Sequence, residues 1–122
     1  MNDRNCFMKA TKISSDLEGK SFFEDFNIQL TNEGEIGILS KPEKTKSIIF
    51  RITSGDYNYD WHNAPQKQYI IILEGKVEIE VGTGETRIFT GGDVLLVEDI
   101  EGQGHRSRAV NKNIRKSIFV TI

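Results

Sequence analysis

An all-β chain, folded as an antiparallel double-sheet jelly-roll barrel, is what this sequence predicts. Three observations carry that reading. About nine or ten short runs rich in β-branched or aromatic residues follow one another. Turn signals separate them, as at Gly34, Pro42, Gly55, Gly75, Gly91 and Gly102. No stretch repeats its apolar residues at helical spacing. A jelly roll is the commonest way to close so many short strands.

Residues 1–20 read as a loosely held lead-in, with Cys6, Phe7 and Met8 free to tuck onto the barrel or a partner subunit. By domain, 1–18 form an N-terminal segment and 19–122 a single unit. Phe22, Glu24, Phe26, Ile28 and Leu30 alternate with Phe23, Asp25, Asn27 and Gln29, the period of a half-buried strand despite Glu24 on the apolar face. Residues 31–35 turn around Gly34, 36–39 form a short strand, and 41–44 form a loop broken by Pro42 and charge. Residues 47–54 are β-branched and extended. Gly55-Asp56 turns the chain, and 57–62 continue extended toward His62. Pro65 stiffens the next loop. Residues 67–73 form a central strand, apolar on both faces from Ile70 to Leu73. Val77, Ile79 and Val81 alternate with Glu78 and Glu80, and Gly82-Thr83-Gly84 connects a hairpin. Residues 86–89 return, 94–98 form another strand, and 117–122 close the sheet into a core or an interface.

Composition narrows the function. One domain is the expectation for 122 residues. A net charge of −2 and a pI near 5.7 give no electrostatic case for nucleic acid. Arg106, Arg108, Lys112, Arg115 and Lys116 read as a solvated face rather than an anion site. Cys6 is the only cysteine, so it has no internal disulfide partner, reads as a spectator, and fits a cytoplasmic setting. The N-terminus lacks the apolar run of a signal peptide or membrane span.

The residues with chemistry gather around two glycine-rich turns. The first set is Gly55, His62, Ala64, Gln68 and Gly75. The second is Gly84, Thr90-Gly91-Gly92-Asp93 and His105. This spacing resembles the two motifs of the cupin superfamily. Ala64 stands where that family has a second histidine, Gln68 where it has a glutamate, and Thr90 where it has a proline. The stretch Trp61-His62-x-Ala64-Pro65-x-x-Gln68, with Gly19-x-Ser21-x-Phe23 and the run from Glu98 to His105, is similar to small single-domain bacterial cupins. The resemblance implies a cupin jelly roll with its site in the barrel mouth. It also implies a divalent metal, weakened by the lost carboxylate: iron, manganese, zinc or nickel on His62, Gln68 and His105. The alternative is a metal-free polar cluster of the same three residues.

His62 and His105 are the only histidines in the chain, and both fall on ligand positions. They are the candidate catalytic pair, since imidazole donates, accepts and exchanges protons near neutrality. Side-chain tips of His62, Gln68 and His105 are expected within about 5 Å of one another. Trp61 and Tyr69 are candidate pocket-floor residues, with core packing the competing role. Asp60 shares His62's face if the chain is extended there. Only one of Glu98 and Asp99 can point inward from a strand, and Glu98 shares the parity of Val94 and Leu96, so it is the expected ligand-binding carboxylate. Tyr57 and Tyr59 are expected at the rim. Three functions remain open: a small-molecule isomerase, cyclase, lyase or oxygenase; a non-catalytic binding module; and a structural protein that keeps only the fold. A homodimer is expected, because Ile118 to Ile122 and the adjacent Phe22 and Phe23 offer more apolar surface than one small barrel buries.

Overall fold

The computed structural model describes residues 6–122. Its strands are β1 (Phe7–Ser15), β2 (Ser21–Gln29), β3 (Thr31–Asn32), β4 (Ile38–Leu39), β5 (Ser47–Thr53) and β6 (Asn58–His62), followed by β7 (Gln68–Glu74), β8 (Lys76–Glu80), β9 (Thr86–Thr90), β10 (Val94–Val97), β11 (His105–Ala109) and β12 (Arg115–Thr121). A six-stranded sheet runs β2-β1-β10-β7-β12-β5, and a four-stranded sheet runs β6-β11-β8-β9. A small β3-β4 hairpin stands apart, with a single 3-10 turn, Gly34–Ile36, between its strands. β1 runs parallel to β10, while every other pairing is antiparallel. This is the architecture of a jelly roll. Among the described residues no helix is long and apolar enough to cross a membrane.

Period-two alternation builds the core. Ile13 on β1, Phe23 on β2, Ile72 on β7 and Leu95 and Val97 on β10 meet Val77 and Ile79 of β8 and Phe89 of β9 across the two sheets. Ile13, Leu95 and Val97 are fully buried. Each such side chain contributes about 1.5–3 kcal/mol relative to exposure. The Phe23 and Phe89 rings lie 5.8 Å apart, and the Arg87 guanidinium covers Phe23 at 4.8 Å.

Two expectations change here. The segment read as a loose lead-in contains a nine-residue strand: β1 pairs with β2 along its whole length and with β10 through Thr11, Lys12 and Ile13. Its sequence hides this because only Ala10 and Ile13 of β1 are buried and polar residues surround them. Residues 1–5 of that lead-in lie outside the described residues. On β2 the alternating face of Phe22, Phe26 and Ile28 points outward, and the inward side is Ser21 and Phe23. The apolar period is therefore real, but it marks the outer face.

The two sheets treat their outer faces differently. The small sheet carries charge ladders, Arg106 with Glu80 and Arg108 with Glu78. The large sheet carries Ile48, Phe50 and Ile52 on β5, Ile118 and Val120 on β12, and Ile71 and Leu73 on β7. The closing strand β12 is flanked by β7 and β5 rather than forming an edge.

Candidate functional site

A cavity of about 390 Å³ opens between the sheets, floored by Ile70, Ile72, Leu95 and Val97. That volume suits a small organic molecule. His62 enters it from the end of β6. β6 pairs with β11 in a broken register: His105 faces His62, but Ser107 faces Tyr59. Three steps on β6 answer two on β11, so β6 carries one extra residue, a bulge. The bulge turns both Asp60 and Trp61 outward. Asp60 lies in an outer groove with Glu78 and Arg106, and Trp61 sits beneath the Arg106 guanidinium at 5.3 Å. His62 and Tyr59 consequently share the inner face, their ring centres 3.9 Å apart.

His105 starts β11 and is buried. Its ring lies 4.5 Å from that of His62. Each imidazole is anchored through Nδ1. His62 Nδ1 donates to the Asp60 carbonyl at 2.7 Å, and His105 Nδ1 donates to Asp99 Oδ2 at 2.6 Å. With Nδ1 engaged, each ring in its neutral form keeps Nε2 as an acceptor for anything bound beside it. The loop carrying Asp99 is stitched to the His62 loop: Ala64 N–H and Asn63 Nδ2 donate to the Asp99 carbonyl, and Asn63 Nδ2 also donates to the Gly102 carbonyl. Ser21, fully buried, donates to the Gly104 carbonyl at 2.6 Å and accepts from Gly82 N–H. The start of β2 thus holds the His105 turn in place.

The outline of this molecule recurs among solved structures. The cupin domain of Schizosaccharomyces pombe Cnp3 aligns over 97% of this chain and 86% of its own, at 13% identity and a TM-score of 0.50. This chain has the cupin fold. Protein NMB1881 of Neisseria meningitidis aligns over 60% of this chain and 71% of its own, at 18% identity and a TM-score of 0.47. A Salmonella typhimurium LT2 protein described as ethanolamine utilization protein Q covers 93% and 94%, at 13% identity and 0.39. No family model matches the sequence, and no curated protein does.

Within this cupin fold, His62, His105 and Gln68 line one cavity. Ala64, standing where the family has its second histidine, is buried in the core. Three other expected ligand-binding residues lie elsewhere. Trp61 faces out because of the bulge. Tyr69 sits on the outer face of β7, and its hydroxyl donates to Glu43 at 2.7 Å. Burial and the Glu43 carboxylate push its pKa up to about 12. Glu98 is also outward, near Ser14 and Lys12. The inward parity on β10 belongs to Leu95 and Val97, and it continues to Asp99, which is fully buried. Val94 and Leu96 share the outward parity of Glu98, because the large sheet is apolar on both faces. Tyr57, Tyr59, Arg51 and Arg115 line the cavity as well. Arg115 corrects the expectation of a solvated basic face: it is 7% exposed, whereas Arg106, Arg108 and Lys116 pair outward with Glu80, Glu78 and Glu74.

A pH dependence follows from His62. Burial lowers its pKa below the ordinary 6.5, and the nearby His105 lowers it further, against the opposing Asp60 carbonyl. Above the unfolded value both states are neutral and no stability is lost. As pH falls below about 6.5 the unfolded state takes up the proton first, so stability falls with pH. The melting temperature is therefore expected to drop between about pH 7.5 and 5.5, and His62→Asn should flatten that drop. Parallel profiles for wild type and variant would show that His62 is not responsible.

Proposed function

We propose that this cupin domain binds a small molecule in the cavity between its sheets, through His62, His105 and Gln68, without a tightly held metal. The observation that carries this reading is the anchored histidine pair, each ring with Nε2 left over, inside an apolar-floored cavity. The donor set is a poor match for a divalent ion. Two imidazoles and an amide supply no negative charge, and among the described residues no third His, Cys, Asp or Glu joins them. The Arg51 and Arg115 guanidiniums share the same cavity and repel a cation.

Calorimetric titration with iron(II), manganese, zinc and nickel tests the point. None should bind more tightly than about 10 μM, and small-molecule binding found in a thermal-shift screen should persist in EDTA. A one-to-one ion held at sub-micromolar strength and lost in both His62→Asn and His105→Asn would overturn the metal-free reading.

The buried Asp99–His105 contact favours a second reading, a proton-transfer enzyme acting on the bound molecule. Asp99 fixes the tautomer that leaves His105 Nε2 as the base. Under that reading Asp99→Asn lowers turnover while binding persists. Under the binding-module reading there is no turnover to lose.

A further inference from the structure

We infer that the molecule this cavity takes is a small organic oxyanion, a carboxylate or phosphate group on an apolar body, gripped by Arg115 with Arg51. The inference rests on the small-molecule reading above and names the class of ligand. Arg115 carries it. The side chain is nine-tenths buried, lines the cavity, and its Nε has no hydrogen-bond partner. Among the described residues neither arginine is in an ion pair. Among the described residues no Asp, Glu or Lys lines the cavity; Asp99 is shielded behind His105.

A buried guanidinium without a carboxylate is costly to keep, and a protein keeps it where something else supplies the negative charge. Tyr57 offers its ring face, with Arg115 at 5.2 Å and Arg51 at 6.0 Å from its centre, and a side-chain hydrogen bond to Arg115, but a neutral phenol supplies no full negative charge. Its hydroxyl is engaged with Ser107 at 2.8 Å. Burial also depresses the Arg115 pKa, in keeping with a charge the fold leaves uncompensated.

The neighbours of the two arginines point the same way. In the β5–β12 register Thr53 faces Arg115, and Arg51 faces Ser117. Thr53 Oγ1 and Ser117 Oγ are buried, and each lacks a hydrogen-bond partner. Unsatisfied polar groups of this kind are rare in a settled interior. Two such hydroxyls beside two guanidiniums without an ion pair, one of them with its Nε unsatisfied, and an apolar floor nearby describe a receptor for one charged head and one apolar body. Guanidinium suits carboxylate and phosphate because its fork of N–H donors matches their oxygens.

Three probes of one shape test this: benzoate, phenylphosphonate and neutral benzamide, titrated calorimetrically into the full chain in buffer free of other oxyanions. At least one anion should bind one-to-one and about 10-fold or more tighter than benzamide. Whichever anion wins identifies the head group. Arg115→Met should weaken the anion about 10-fold or more while raising the melting temperature or leaving it unchanged, since it removes a buried unpaired charge. Arg51→Met, on the exposed edge strand, should weaken the anion without disturbing the core, and it carries the test if the Arg115 variant fails to fold. Benzamide binding as well as the anions, or anion binding indifferent to both arginine variants, would overturn the oxyanion assignment and leave the small-molecule pocket standing. No binding by any of the three up to about 10 mM, the millimolar limit of weak association, would overturn both readings.

Discussion

Gly104→Ala is expected to lower the melting temperature by about 10 °C and to abolish binding in the cavity. Gly104 has a φ of +77°, where a side chain is strained. A β-carbon there would overlap the His62 carbonyl and approach Asn63 N at 2.9 Å. Both are backbone atoms, at the end of β6 and just beyond it, so no side-chain rotation relieves the clash. The left-handed conformation costs about 1–2 kcal/mol. The forced separation of β11 from β6 adds about 1–3 kcal/mol. It also moves His105 away from His62, the two residues that face each other across that pair. Gly84→Ala separates these causes. Its φ is +91° but nothing lies within 4 Å of the added carbon, so only the conformational cost remains. A thermal melt of both variants checks the expectation. Equal losses would show that the close approach at His62 does not matter.

The second large effect concerns the outer face of the six-stranded sheet. We propose that it joins two copies of this chain, and that Phe50→Asp with Ile52→Lys converts a dimer to a monomer. Phe50 is 73% exposed, Ile52 72%, Ile48 57% and Leu73 55%. Three of them sit on β5, one of the two edges of that sheet, and Leu73 is two strands away. An apolar patch on an open edge is a surface that association covers. On the small sheet Arg–Glu ladders run along the outer face. The sequence motive for a dimer shifts accordingly: β12 lies inside the sheet, Phe23 lies in the core, and three of the four bare apolar residues of this patch belong to β5. Light scattering at high micromolar concentration should give twice the monomer mass for wild type. The double variant should weaken association about 100-fold or more while its melting temperature in the monomer stays close to that expected for surface changes. A wild-type monomer at that concentration would overturn the proposal.

What the sequence determined by itself was the alternation of short strands and turns, and with it the all-β class. It also determined that the only two histidines stand at the mouths of paired strands, because glycine turns set their distance along the chain. Period two is a local property, and it survives any tertiary arrangement. Which side of each strand faces inward was decided elsewhere. The large sheet is apolar on both faces, so parity alone could not separate Glu98 from Asp99 or place Tyr69. The β6 bulge shifted parity again and sent Trp61 outward, an event visible only when β6 is laid against β11. β1 became a strand because β10 and β2 offered it partners on both sides, although its own residues argue weakly for one. Arg115 resembled its solvated neighbours in the chain. Its burial follows from inward parity on β12, a strand held between β7 and β5, where alternation turns Lys116 to solvent and Arg115 into the cavity.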